Sequence, residues 1–417
     1  MNWQTKGEMM LLKQTVKGAI IGAAAGVSFW AGMQLGDDQA PFDARNDFGK
    51  KVLYVAYDKT SFGKSNQVQA QAKQFGLAKA LGVVYKQPMK KMNGFVFEAE
   101  PGQEPKLQMS AMQIDSNWVV QKNLEYHLDF LTGCERLPEP TPVPDPNPGP
   151  GPDPVPVFSD QVPWGVAKVH ALEAQKITKA ENVLVCVTDT GSDMQHPDLK
   201  NMLAGGADMV GAGSWQDDHG HGTHVAGTIS AELNDSEIMG VTQAKIYTVK
   251  VLDRDGSGYS DWIADGIVEC VDAGAKVINM SLGGPSKDQM IADAIVWALE
   301  RGTVVVAAAG NNGGKVGWPA ALPETIAIAA SDEQNQMAYF SSRGPEVDFI
   351  APGLDVLSLR LGGGTVTMSG TSMASPHAAA VLALALASGK DVIKADDIGL
   401  PKEHQGEGLV NAEKSVK

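Results

Sequence analysis

Cysteine is nearly absent from this 417-residue chain: three, at 134, 186 and 270, too few for a disulfide framework. Cys186 lies in an apolar run and Cys270 in an apolar helical segment, so both read as core thiols. Cys134 stands in a polar stretch and reads as a free thiol. Positive charge is also scarce, with 34 Lys and Arg against 49 Asp and Glu and a formal net charge of -15. The deficit is local. From Phe158 onward there are 33 acids and 18 bases, an excess of 15, while the first 157 residues balance at 16 and 16. That excludes the basic footprint of a nucleic-acid partner. It suits a soluble surface and a bound cation. Long hydrophobic runs are missing too. Lys6, Lys13 and Lys17 precede a charge-free stretch from Gly18 to Gly36 that is Ala/Gly-rich and weakly apolar. It reads as a signal peptide, or, through the small face of Gly18, Gly22 and Gly26, as an uncleaved signal anchor. The expected location is secreted, periplasmic or in the cell envelope, and membrane-anchored if the segment is kept.

What is present divides the chain. Its length exceeds one usual core. Residues 1–36 are the targeting segment. Residues 47–131 read as a small α+β unit: strands at Val52–Tyr57, Val83–Lys86, Phe95–Glu98 and Trp118–Gln121, helices at Gln67–Leu81 and Leu107–Ile114. The order β-α-β-β-α-β is a split βαβ arrangement. Residues 137–157 form a proline-rich linker, in which every second residue from Pro138 to Pro156 is proline, ten in all. Such a run favours extended polyproline II and a semi-rigid spacer. Residues 158–417 alternate short apolar runs (Val183–Val187, Lys245–Val251, Lys276–Met280, Thr303–Ala308, Thr325–Ala329) with helical ones (Asp261–Ala273, Lys287–Arg301). That alternation predicts an α/β fold, a mostly parallel sheet with helices on both faces. Functional groups then collect at the carboxyl ends of strands.

Three motifs carry chemistry. Gly370-Thr-Ser-Met-Ala-Ser-Pro-His377 puts Ser372 at the head of a small-residue helix, where backbone donors and the dipole favour a developing oxyanion. Val185-Cys-Val-Thr-Asp-Thr-Gly191 puts Asp189 at a strand end. His219-Gly-His-Gly-Thr-His224 precedes a second helix. A serine needs a base and the base needs an orienting carboxylate. Taken singly, each segment has a bland reading: a turn aspartate, an N-cap serine, a metal-like histidine run beside Asp217 and Asp218. Zinc would want thiolate or carboxylate ligands in the same shell. A fourth segment, Ala308-Ala-Gly-Asn311-Asn, sets an amide just past a strand.

These four segments, in this order and spacing, resemble the subtilisin-like serine peptidases (the subtilase family) from about Val162 to Val410. The resemblance implies a subtilisin-like sheet preceded by an inhibitory pro-domain, whose local likeness is Met92-Asn-Gly-Phe-Val-Phe97. It assigns catalysis to Asp189, His221 and Ser372, with Asn311 as oxyanion donor, and leaves His219 and His224 as flank and packing. Ser281, Leu282 and Gly283, with Gly256 and Gly258, match the two edges that pair with an extended substrate. Gly310 and Gly317 leave room for a large side chain, so large apolar residues before the cleaved bond are expected. The likeness also implies structural Ca²⁺ at Asp198, Asn234, Glu232, Ser236 and Ile238, with carbonyl oxygens from the last two and Glu232. Glu237 stands where a glycine is usual. The expected partners are protein or peptide substrates and the chain's own pro-domain as intramolecular inhibitor, in a monomer. The implied function is an exported serine endopeptidase made as an autoprocessed precursor. Alternatives are a dedicated processing peptidase of narrow specificity and a catalytically silent binding scaffold. The precursor cut is expected between Leu128 and Leu137, best after Leu131, because from Leu137 onward proline occupies every other leaving side.

Overall fold

The computed structural model describes residues 52–62, 74, 76–128, 161–284 and 286–417. The expected targeting segment (1–36) and the proline-rich stretch lie outside the described residues. Every described residue belongs to one compact unit, Asp47–Lys417.

The N-terminal part is a four-stranded antiparallel sheet, β1 (Val52–Asp58), β2 (Val84–Pro88), β3 (Gly94–Ala99) and β4 (Trp118–Lys122), in the order β2-β3-β1-β4. A helical turn over 76–81, α1, and helix α2 (Glu104–Ile114) complete it. The strands alternate. Tyr54, Ala56, Phe95, Phe97 and Val120 face α2 and form their own core with Leu107 and Ala111. Val55 and Tyr57 face the other way and join the core of the second part, with Phe62, Met89 and Met92. A sheet this small gains stability by burying its second face on a larger body.

In the second part the central sheet has nine strands: β6 (Leu184–Asp189), β7 (Leu203–Asp208), β8 (Lys245–Lys250), β10 (Val277–Met280), β11 (Val304–Ala308), β12 (Thr325–Ser331), β13 (Val347–Pro352), β16 (Lys394–Asp396) and β17 (Leu409–Asn411). Their order is β16-β17-β13-β12-β11-β10-β6-β8-β7, parallel except for β16 at the edge. Two two-stranded antiparallel ribbons lie outside it: β5 (Glu125–His127) with β9 (Ser257–Tyr259), and the hairpin of β14 (Val356–Leu359) with β15 (Thr365–Met368). The helices are α3 (Trp164–Lys168), α4 (Ala171–Gln175), α5 (His221–Ser230), α6 (Ser260–Asp272), α7 (Gln289–Glu300), α8 (Thr371–Ala387), α9 (Lys402–Gln405) and α10 (Ala412–Val416).

Parallel strands buried on both faces send alternate residues to two cores. Val185, Val187 and Val306 pack with Val225 and Ile229 of α5 and with Ala378–Leu384 of α8. Cys186, Val305 and Ala307 face the opposite layer, with Ile263 and Ile267 of α6 and Ile291 and Ile295 of α7. The reading of Cys186 and Cys270 as separate core thiols is corrected here. Both are fully buried, and they form a disulfide joining β6 to α6. Strand alternation aims Cys186 at the α6 layer, where Cys270 also points. Spacing along the chain, 84 residues, carried no hint of that meeting.

Helix α6 presents Asp261, Asp265, Glu269 and Asp272 along one face to the small sheet. Asp265 accepts the backbone N–H groups of Lys90 and Lys91, and Lys91 pairs with Glu269 and Asp272. Asn123 exchanges two hydrogen bonds with Asp261, and Gln121 does the same with Asp288 and Met290 at the start of α7. Tyr57 donates to Asp293 at 2.9 Å.

Candidate active site

Asp189 is the last residue of β6, at its carboxyl end, and is fully buried. His221 opens α5, and its Nδ1 lies 2.8 and 3.0 Å from the two carboxylate oxygens of Asp189. A carboxylate only accepts, so Nδ1 carries the proton and Nε2 is the basic nitrogen. The strand end and the helix start come close because Gly222 has no side chain: a Cβ there would overlap the Gly191 carbonyl.

Ser372 lies in the first turn of α8, 4 % exposed, and its hydroxyl donates to the Ser281 carbonyl at 3.2 Å. Pro376, inside the helix, has no N–H for the Ser372 carbonyl four residues earlier. That carbonyl accepts the Ser281 hydroxyl instead, at 2.7 Å. Asn279 donates to Ser281 Oγ and accepts from Ser375, so the end of β10 clamps the head of the helix. Asn311 follows β11 and is 9 % exposed. Its Oδ1 accepts both the backbone N–H and the hydroxyl of Thr371, at 2.7 and 2.9 Å. Its amide NH₂ is thereby turned away from Thr371. Thr371 was not singled out in the sequence; nothing in the Gly-Thr-Ser run tells which threonine atom will hold an asparagine 60 residues away.

One hollow gathers Leu282, Gly283, Gly284, Ala308, Gly310, Asn311, Gly317, Thr371 and Ser372. The chain's own residues 125–128 run into it. β5 pairs antiparallel with β9, Tyr126 opposite Gly258 and His127 opposite Ser257, and His127 bridges to Gly283 on the other side. The Leu128 N–H donates to the Gly256 carbonyl at 2.8 Å. So Glu125–His127 lies between the two predicted substrate edges, paired along β9 on one side and bridged at His127 to Gly283 on the other. Tyr126 is buried against Gly284, and among the described residues its hydroxyl has no hydrogen-bond partner.

The remaining predicted residues fall as follows. His219 stacks edge-on to His221, with ring centroids 6.4 Å apart. His224 is fully buried, with Nε2 near the carbonyls of Val356 and Val366, and burial pushes its pKa down to about 3. His377 is buried likewise, its pKa lowered to about 4 by burial. Both are neutral and structural. Asp198 is fully buried. Its Oδ2 accepts the N–H groups of Glu237 and Ile238, and Oδ1 faces the Asn234 amide at 3.3 Å. Glu232 donates its N–H to the Asp198 carbonyl. Glu237 turns its carboxylate to the Gly364 N–H, away from that turn. Among the described residues no three His, Cys, Asp or Glu side chains gather as a metal cluster. A cation here would rest on one carboxylate and neutral oxygens. No helix among the described residues is long and apolar enough to cross a membrane.

The chain is similar to several known proteins. Subtilisin amylosacchariticus from Bacillus subtilis subsp. amylosacchariticus is 44% identical over 239 residues, 55% of this chain and 62% of that one. Subtilisin from Bacillus pumilus is 44% identical over 238 residues, 55% of this chain and 86% of that one. M-protease from Shouchella clausii is 40% identical over 272 residues, 62% and 71%. The chain thus spans under two thirds of the first of these and more of the other two. The subtilase family model matches residues 180–398, more than half of the chain. From the alignment and the fold together, the chain belongs to the subtilase family.

Proposed function

We propose that the protein is a serine endopeptidase using Asp189, His221 and Ser372, with the Asn311 amide and the Ser372 N–H receiving the oxyanion. The observation that carries this is the Asp189–His221 pair at 2.8 Å on the carboxyl side of the sheet, in a chain whose Ser372 heads a buried helix beside Asn311. Nε2 of His221 takes the serine proton as Oγ attacks the carbonyl carbon and returns it to the leaving amine. Asp189 fixes the tautomer and stabilises the imidazolium. Serine-directed fluorophosphonate labelling tests the reading. The wild-type enzyme is expected to label at Ser372 and Ser372→Ala to neither label nor cleave casein. Labelling of the variant, or retained cleavage, overturns the assignment.

The same reading extends to maturation. Residues 47–131 act as an inhibitory pro-domain whose residues 125–128 run along the cleft as a substrate would, and the cut falls between Leu128 and Leu137, best after Leu131. Substrate preference follows the lining: Gly310, Gly317 and Ala308 leave a hollow with no acid among the described lining residues, suited to a large apolar side chain before the cut. Export by the 1–36 segment and a monomeric state complete the proposal. Calcium fits the Asp198 turn, because a buried carboxylate with one oxygen facing Asn234 matches the mixed oxygen set of Ca²⁺. Asp198 Oδ1, the Asn234 amide oxygen after a half-turn, and the carbonyls of Glu232, Ser236 and Ile238 would hold it. Its contribution there is stability, not chemistry.

A further inference from the structure

Asp217 is 3 % exposed and belongs to none of the roles above. Five donors meet its carboxylate. Oδ1 accepts the Thr190 hydroxyl at 2.9 Å and the N–H groups of His219 and Gly220 at 3.0 and 2.9 Å. Oδ2 accepts the N–H and hydroxyl of Thr223, at 2.9 and 2.5 Å. Burial alone would raise its pKa. The bonds from Gly220, Thr223 and His219 outweigh burial and hold it below the usual carboxylate value, so it stays ionised.

These donors come from two places. Thr190 follows Asp189 directly, and its own N–H donates to Asp189 Oδ1 at 2.7 Å. His219, Gly220 and Thr223 flank His221 at the start of α5. Gly220, the residue before that helix, offers no side-chain cap. Asp217 supplies the cap from outside, on the third N–H of the helix. Thr190 Oγ1 also accepts the Gly222 N–H at 3.0 Å, so the tie is doubled. On its far side Thr190 is held by Lys250, a buried lysine whose ammonium donates to the Thr190 carbonyl at 2.6 Å and pairs with Asp218. The residue after Asp189 and both flanks of His221 are therefore bonded to one carboxylate.

We propose that Asp217 is a positioning residue for the peptidase reaction, setting the separation and alignment of the Asp189–His221 pair. This rests on the triad reading of Asp189, His221 and Ser372. Asp217→Asn keeps the shape but turns one acceptor oxygen into an NH₂ that meets backbone N–H groups head on. A misplacement of the base by a fraction of an ångström to 1 Å lowers turnover by about tenfold to a hundredfold. Binding in the cleft, made by Ser257–Tyr259 and Ser281–Gly283, is left alone.

The test uses mature enzyme, the variant being processed in trans by a trace of wild type. Active sites are titrated with a fluorophosphonate, and turnover is read per titrated site. For Asp217→Asn the expected result is kcat down tenfold or more, KM within about twofold, and a displaced acid limb of the pH profile. The downfield proton resonance of His221 Nδ1 should also shift or broaden. A purely structural carboxylate would lower the melting temperature and leave all of these unchanged per titrated site. That outcome overturns the proposal while wild-type labelling still upholds the triad. If wild type itself fails to label, the triad reading falls and this one with it. Should Asp217→Asn not fold, Thr190→Val removes a single hydroxyl tie and Thr190→Ser restores it. Loss in the first with recovery in the second supports the proposal, and equal turnover in both overturns it.

Discussion

At the residue scale, the chemistry depends on how side-chain amides and hydroxyls are aimed. Thr371 holds the oxygen end of Asn311 with two hydrogen bonds, which leaves the nitrogen end for a developing negative charge. Removing an interaction that exists only in the transition state lowers kcat and leaves KM alone. Asn311→Ala is therefore expected to cut kcat by about 10²–10³ with little change in KM, a figure already measured for this kind of loss in a subtilisin and carried over here. A raised KM at constant kcat would show ground-state binding instead. Thr371→Val should give a smaller loss of the same type. The proposed triad of Asp189, His221 and Ser372 was named from motif and spacing, and the structure brings Asp189 and His221 into hydrogen-bond contact. Their holders were less legible. Asp217 was noticed only as a neighbour of the histidine run, and Thr371 not at all. A bond between residues 60 apart depends on where two strands and a helix end, and local sequence does not encode that.

At the element scale, the long apolar strands β6, β8, β10, β11 and β12 were legible, because a fully buried parallel strand reads as an unbroken β-rich run. The edge strand β7, Leu-Ala-Gly-Gly-Ala-Asp, was not, since its glycines and partial exposure erase that signal. β17 is three residues long and equally silent. The disulfide is a further element-scale fact. It closes a loop of 84 residues between β6 and α6, which in the chain-entropy model is worth about 4–5 kcal/mol. Replacing both Cys186 and Cys270 by Ala should lower the melting temperature of the mature enzyme by several degrees at unchanged kcat. An unaltered melting temperature would argue that the cross-link adds nothing.

Helix α6 carries a second prediction at this scale. Asp265 is buried under the small sheet, and burial, reinforced by the charge of Asp261, pushes its pKa up to about 7 against the opposing bonds from Lys90 and Lys91. When the small domain leaves, the carboxyl meets water and returns to about 4. The bound state therefore holds the proton more tightly, and binding takes up a proton between about pH 4 and 7. Association is strongest at the acid end, weakens as pH rises towards 7, and is level above it. The groups facing Asp265 are Asp261, Lys90 and Lys91, with Glu269 and Asp272 farther along the helix. The inhibition constant of the isolated 47–128 segment, if that segment folds alone, is expected to rise between pH 5 and 8. Asp265→Asn should flatten the rise. A pH-independent constant in both proteins would reject this role.

At the scale of the whole molecule, two parts share one sheet-on-helix interface and one cleft. The described tail enters the cleft as far as Leu128, and with the cut expected between Leu128 and Leu137 the mature N-terminus should fall among residues 129–137. Leu131, favoured from sequence as the residue before the cut, lies outside the described residues and within that window. N-terminal sequencing that found Phe158 or later would reject the placement. It would also move the proline arm to the discarded piece. Calcium belongs to this scale as well, since a ligand of the folded state alone stabilises by mass action. EDTA should shorten the half-life on heating relative to millimolar calcium, and Asp198→Ala should abolish the difference.

The unpartnered hydroxyl of Tyr126 bears on timing. A buried polar group without a partner costs about 1–3 kcal/mol, and this one is spent each time the tail seats itself between β9 and Gly283. On the pro-domain reading, this cost weakens the hold of the cleft on the tail. Tyr126→Phe removes the cost without touching the fit. The variant precursor should cut itself normally yet stay silent for longer, its lag before full activity stretched about fivefold or more, because the severed piece would now be slow to depart. An unchanged or shortened lag would mean that departure is governed elsewhere, at the acidic face of α6.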